Sequence, residues 1–349
     1  MRLGAIPHGA LERIAFVLGL VPTPLFDSII ALLLARTVMV ATRLGVFETM
    51  AARPRDADEV ASQCGTAPAA TRKLLDALAG CGYLRLRDGR YSLAHVARRW
   101  LLKDSPHSLH DAILLQFVDE QFIAQMESFV RTGTPIEIHE HMTPEMWELY
   151  QRGMRSGARL ATPEVALRLP MPRNARTMLD IGGSHGYYSV ALCRRYPELR
   201  ATVLDLPEAV AAAAPLLARE GMGDRVVHRA ENALTADLGA EAYDLILIAN
   251  LVHHFTEAQN RDLVRRCARA LRQGGRLVIG EVARPQTPDE AGQIGALTDL
   301  YFAITSAGGT WTFAEMADWQ RSAGLRPRRP IRLFTGPGGG LQVAEKRRV

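Results

Sequence analysis

Leu179-Asp180-Ile181-Gly182-Gly183-Ser184-His185-Gly186 is an apolar strand that runs into a glycine-rich turn, and a helical segment follows at once. Glycine lets a backbone pass close to a ligand, so this stretch reads as the first strand and turn of a ligand-binding α/β domain. Downstream, ATVLD (201–205), RVVHR (225–229), YDLILIA (243–249) and RLVIGEV (276–282) continue the strand pattern after TMLDI (177–181), with helical segments between most of them. That alternation indicates a parallel sheet. Thr256 with Gln259, and Thr312 with Glu315, have the spacing of capping boxes at helix starts. RPIRLF (329–334) and LQVAEK (341–346) are expected to pair across Gly336 to Gly340, which makes that glycine run a hairpin loop rather than a phosphate cradle. The turn-rich segment 169–176 places the start of this domain near residue 165.

Upstream, residues 11–50 have helical spacing and are apolar on more than one side, which a helix tolerates only when covered by other helices or another subunit. A homodimer is the expectation. DADEVASQCG and APAATRKLLDALAGCG then read as two short helices, followed by strands joined at Asp88-Gly89, the order of a winged helix. As a DNA reader its second helix, 67–79, offers only Arg72 and Lys73, offset by Asp76, so a packing and dimerisation module is the better reading. Residues 107–160 read as further helices, one of them opening at Thr143-Pro144. The expected division is 1–105 dimerisation, 106–165 linker helices and 166–349 catalytic.

A chain of 349 residues exceeds the usual single core. Its net charge of +5 comes from 42 basic against 37 acidic residues, a mild and interspersed excess that does not call for a nucleic acid. The densest basic run, RPRRPIR (326–332), holds two prolines and reads as a solvated loop. Cys64, Cys81, Cys193 and Cys267 form no CxxC pair, which excludes the usual zinc or disulfide frameworks, predicts no metal and fits a reducing cytoplasm. The apolar stretch from Ile14 to Val40 reads as interrupted by Pro22, Pro24, Asp27 and Arg36, so neither a membrane span nor a signal peptide is expected.

Asp205 ends the second strand about 20 residues after the glycine turn, where Rossmann-type domains bind ribose hydroxyls. A nicotinamide dinucleotide would need GxGxxG, and the chain has GGSHGY instead. The segment resembles motif I of class I methyltransferases, with Asp180, Gly182 and Gly186 matching and Ser184 replacing one glycine. LDLP (204–207), Ala230-Glu231-Asn232, LVHHF (251–255) and ARALRQGGRLVIGE (268–281) extend the likeness in order. About nine-tenths of the chain resembles the dimeric O-methyltransferases of plant phenylpropanoid and bacterial polyketide or phenazine pathways.

The resemblance implies an α/β fold, a Rossmann-like class I methyltransferase domain preceded by a mainly α winged-helix dimerisation domain. It implies S-adenosyl-L-methionine as cofactor, S-adenosyl-L-homocysteine as product, and an aromatic small-molecule acceptor. By position, Asp180, Gly182, Gly183, Gly186, Asp205, Leu206, Glu231, Asn232 and Asn250 would face the cofactor. Family members more often have aspartate at Glu231, and plant members often have lysine at Ala249. His253 matches the family's general base and Glu281 the carboxylate that orients it. An imidazole is mostly free base near pH 7, whereas a phenol of pKa ~10 must lose its proton to become a good nucleophile. Trp147, Tyr150 and Met154 share a helix face. With His254, Tyr301 and Trp311 they are the expected acceptor wall, although such a stripe by itself reads as core. Where plant members carry a second flanking glutamate, this chain has Gly308-Gly309-Thr310-Trp311-Thr312. That departure leaves carbon or nitrogen methylation and non-methylating chemistry as alternatives, with a cofactor-sensing DNA-binding regulator and a nicotinamide oxidoreductase as more distant ones.

Overall fold

The computed structural model describes residues 4–7, 9–284, 287–335 and 339–347. The chain divides into two compact units, the first ending at Phe117 and the second running from Val118. The helices expected as a separate linker over 106–165 are therefore shared out, with those beyond Val118 belonging to the second unit.

In the first unit, helices Ala57–Cys64 and Pro68–Gly80 lead into strands β1 (Leu84–Arg87) and β2 (Arg90–Leu93), with helix His95–Trp100 after them. Asp88 and Gly89 both take positive φ, as the two-residue turn between β1 and β2 requires. Phe47, Val60, Leu75, Leu78 and Tyr91 form the core. The Tyr91 hydroxyl donates to Asp76 at 2.7 Å, and Arg72 lies 3.8 Å from Asp58, so two of the three charges on the would-be recognition helix have protein partners.

The apolar stretch is interrupted between Val17 and Thr23, but not at Pro24, Asp27 or Arg36: one helix runs over Thr23–Arg43, through a π-turn at Phe26–Ile30, and an 18-residue window of it has a mean hydropathy of 1.8. Pro22 is the residue before the first turn and Pro24 lies within that turn, where proline costs no hydrogen bond. By length and composition this helix could cross a membrane, and most of it is uncovered within the chain: Leu32 is 58% exposed and Leu33 55%.

The second unit is built on a sheet of eight strands: β3 (Thr177–Ile181), β4 (Arg200–Asp205), β5 (Val226–Ala230), β6 (Tyr243–Ala249), β7 (Leu271–Val282), β8 (Arg326–Pro327), β9 (Ile331–Arg332) and β10 (Gly339–Glu345). The order is β5-β4-β3-β6-β7-β10-β8, with β9 also on β10. The strands from β5 to β7 are parallel, and β10 is antiparallel to β7, β8 and β9. Alternate residues of β6 enter opposite cores, Ile246 and Ile248 on one face and Leu245 and Leu247 on the other. That is the pattern of a strand buried on both sides.

β7 starts five residues earlier than its apolar run, at Leu271, because Gly274 takes a positive φ and a register shift opposite Tyr243 and Leu245 absorbs the glycine pair. The last hairpin pairs as expected, but its first arm is split into β8 and β9 around Arg328 to Pro330. Proline cannot donate to the ladder, and residues 336–338 of the expected hairpin loop lie outside the described residues. Helix Pro144–Arg168 is capped by the Thr143 hydroxyl, and both expected capping boxes are present at Thr256 and Thr312.

Leu247→Ala is expected to cost about 2–5 kcal/mol, because a fully buried leucine leaves a cavity between sheet and helices. Arg265→Ala, on an exposed helix face, should stay within about 0.5 kcal/mol. Urea melts of the two variants against the parent check this.

Candidate active site

The strand order reverses at β3 and β6, and open α/β sheets bind ligands outside such a point. Beyond β3 the chain turns through Gly182, Ser184 and Gly186, all at positive φ, into helix Tyr187–Arg195. A Cβ on Gly182 would lie 2.7 Å from the Leu251 side chain, and one on Gly183 would lie 2.5 Å from Asp180 Cγ and 2.8 Å from Val203 Cγ1. Protein atoms packed against the turn therefore demand these two glycines, a reason distinct from ligand approach.

Asp180, expected among the cofactor contacts, lies beneath the turn and is wholly buried. Its Oδ2 accepts from the Ser189 hydroxyl at 2.7 Å, and burial pushes its pKa up to about 7. Asp205 is better placed: Oδ2 accepts from Ser184 N–H and Oδ1 from Leu206 N–H, both at 2.8 Å. A carboxylate has about four lone-pair sites, so these bonds fix its orientation and leave acceptor capacity. Burial pushes Asp205 up to about 6 despite the two donors. The Ser184 hydroxyl bonds the Gln151 side chain and ties the turn to the long helix.

Glu231 has a partner within the chain. Arg229 grips its carboxylate through two bonds, 2.8 and 2.7 Å, which hold its pKa below the usual range. Asn232 Oδ1 accepts from Leu234 N–H at 2.9 Å. Asn250 takes a positive φ of 51° and its N–H donates to Gly280 O at 2.8 Å.

Past the end of β6, a single turn of helix, Val252–His254, presents His253, which is 4% exposed. Its Nδ1 lies 3.0 Å from Glu281 Oε1 near the end of β7. The carboxylate accepts, so Nδ1 carries the hydrogen and the lone pair of the neutral ring falls on Nε2. The loop beneath is held from several sides. Trp311 Nε1 donates to Val252 O at 3.0 Å, while Asn260 Nδ2 donates to Val252 O at 2.9 Å and Phe255 O at 3.1 Å. Ser306 Oγ and Gly309 N–H both donate to His253 O at 2.9 Å. The segment from Ser306 to Trp311 thus clamps the histidine's backbone, and among the described residues only Glu281 bonds its ring.

Phe302 stacks on the His253 ring at 3.7 Å between centroids, and His254 lies 4.1 Å away on another side. His139 links His254 (4.6 Å) to Trp147 (5.3 Å, stacked) and Tyr150 (5.8 Å). The Tyr301 hydroxyl donates to Asp119 at 2.9 Å. Burial first, then neighbouring imidazoles, push His139 down to about 4 and His254 well below its usual value, so both are neutral near pH 7. Met154 is half-buried one turn beyond Tyr150. Trp311 does not join this group, because it packs against Trp319 at 5.1 Å. The sequence reading missed His139, Phe302 and Asp119. His139 sits in a short 3-10 turn without periodicity, and nothing in the linear pattern separates the other two from ordinary helix residues.

A family model described as the O-methyltransferase domain matches residues 117–326, and one described as the O-methyltransferase dimerisation domain matches 27–103. The chain is 30% identical over 336 residues to 3-hydroxy-5-methyl-1-naphthoate 3-O-methyltransferase of Streptomyces sahachiroi, covering 93% of this chain and 94% of the relative. It is 24% identical over 303 residues to L-tyrosine C(3)-methyltransferase of Streptomyces lavendulae, covering 82% of each. Its fold is similar to that of human N-acetylserotonin methyltransferase, solved in complex with S-adenosylmethionine, with a TM-score of 0.83 at 18% identity over 98% of this chain and 99% of the other.

A Cβ on Gly308 would lie 2.4 Å from His253 O and 2.5 Å from Phe255 O, whereas one on Gly157 meets nothing within 4 Å. Gly308→Ala should therefore destabilise by about 1–3 kcal/mol. Gly157→Ala, inside the long helix, should instead stabilise by about 0.5–1 kcal/mol. Paired chemical melts give both signs.

Proposed function

Because this chain belongs to the O-methyltransferase family, we propose that it transfers a methyl group from S-adenosyl-L-methionine to a hydroxyl of an aromatic small molecule, with His253 as general base. The observation that carries this reading is the buried His253–Glu281 pair, whose imidazole lies against the half-buried rings of His254 and Phe302.

The chain's residues fit the cofactor at one end. Asp205 keeps acceptor sites for two ribose hydroxyls, and the backbone of Gly182 and Gly183 borders the crevice beside it. At the adenine end, Glu231 is engaged by Arg229, so Leu206 and the Asn232 amide nitrogen are the better contacts. When bound, S-adenosylmethionine supplies an electrophilic methyl group on a sulfonium. His253 Nε2 accepts the acceptor's hydroxyl proton, and the Glu281 carboxylate holds the ring and favours the charge it acquires. Trp147, Tyr150, His139 and His254 present faces and edges that position an aromatic ring, and positioning supplies much of the rate in a two-reactant step. Trp311 acts from behind, by fixing Val252. Residues 27–103 form a homodimer through the apolar helix Thr23–Arg43 and its surroundings, which removes that surface from water.

The test is mass spectrometry after incubation with methyl-labelled S-adenosylmethionine and a panel of phenols, hydroxynaphthalenes, hydroxyquinones and aromatic amines. A labelled methyl ether is expected, and label on ring carbon or nitrogen would replace the oxygen assignment. His253→Ala should lower kcat by about 10²–10⁴. S-adenosylhomocysteine affinity, read by calorimetry, should stay unchanged in that variant, and full activity in it would end the base assignment. Asp205→Ala should do the opposite, weakening S-adenosylhomocysteine about tenfold or more.

A further inference from the structure

Followed from one neighbour to the next, the side chains around His253 form a belt. His253 stacks on Phe302, and Phe302 borders Tyr301 at 5.7 Å. Tyr301 donates to Asp119, and the Asp119 carboxylate is near enough to Tyr150 to raise its phenol pKa, after burial and Asp205. Tyr150 meets Trp147 edge-on at 5.8 Å, and His139 and His254 return the belt to His253. Apart from the Tyr150 and Tyr301 hydroxyls, the Trp147 indole N–H and the neutral imidazoles of His139 and His254, it carries two polar stations, the His253–Glu281 pair and Asp119.

Asp119 has no task in the reaction described above. Helix His110–Ile123 carries it, half-buried, and burial pushes its pKa up. One carboxylate oxygen accepts from Tyr301, and among the described residues the other has no hydrogen-bond partner. That oxygen is not sealed from solvent, so it keeps acceptor capacity for a donor that enters the belt.

Building on the methyl-transfer reading, we propose that Asp119 is a specificity-determining residue. It accepts a hydrogen bond from a second hydroxyl or an amino group on the acceptor, on the ring edge away from the oxygen presented to His253. The acceptor class is thereby narrowed to aromatic molecules with hydrogen-bond donors on two separated edges. Tyr301 is then a positioning residue, because its hydroxyl occupies one oxygen of Asp119 and turns the other toward the ligand. Arene faces meet Trp147, Tyr150 and the imidazoles, and only the two edges are read by polar groups.

Calorimetric titration of the full chain, saturated with S-adenosylhomocysteine, tests this with 2-naphthol against 2,6-dihydroxynaphthalene, 2,7-dihydroxynaphthalene and 6-amino-2-naphthol. At least one of the three two-donor ligands should bind about tenfold more tightly than 2-naphthol. Asp119→Ala should erase that advantage and leave 2-naphthol within about twofold of its parent affinity. Asp119→Asn keeps an oxygen for Tyr301 and offers N–H outward, so preference should move to 6-methoxy-2-naphthol. This isosteric variant decides the matter if the alanine variant does not fold. The proposal is overturned if no two-donor ligand exceeds 2-naphthol, or if the advantage survives in either variant. Binding reports on Asp119 whether or not methyl is transferred, so a donor preference without labelled product counts against the catalytic reading alone.

Discussion

The pairing of β3 with β6 is the constraint on which the rest of the second unit depends. Their register sets Ile181 opposite Ile248, so the turn leaving one strand and the loop leaving the other begin at the same level. Leu251 then packs on Gly182, and the two connections rise on either side of the reversal in strand order. A one-residue slip would turn every β6 side chain to the opposite core. It would also move His253 away from Glu281, whose position is set independently by the pairing of β7 with β6 and β10.

Burial governs the chemistry of the ionisable groups collected there. Desolvation favours uncharged forms, and it keeps His139 and His254 neutral. Two neutral imidazoles beside His253 act as aromatic surface and leave the single buried carboxylate pairing to Glu281. Asp180 and Asp205 show how environment separates like residues. One is sealed beneath the glycine turn with a serine hydroxyl, while the other is held by two backbone N–H groups at the end of β4.

The segment from Ser306 to Trp311 works through backbone contact. Its closest approach, Gly308 against two carbonyl oxygens, leaves no room for a side chain, and its donors fix His253 from below. The segment thus supports His253 through backbone contact, and Asp299 anchors it in turn by accepting from Thr310 N–H at 3.0 Å.

Sequence alone determined the parallel strands, the helix caps, the wing hairpin and the family, because each rests on local period, turn chemistry or an ordered set of motifs. It also singled out His253 and Glu281, 28 residues apart on neighbouring strand ends. It did not show that Asp180 is sealed with Ser189, that Trp311 bonds Val252 and packs on Trp319, or that Arg229 grips Glu231. Pro22 stands in the expected break, but Pro24 does not interrupt the helix Thr23–Arg43, because a proline's cost depends on the turn it occupies. Only the tertiary structure decided that Phe302 stacks on His253, that His139 bridges His254 and Trp147, and that Asp119 accepts from Tyr301. His139, Phe302 and Asp119 come from a short turn and two helices far apart in the chain, and no local periodicity encodes which side chains converge across a sheet's edge.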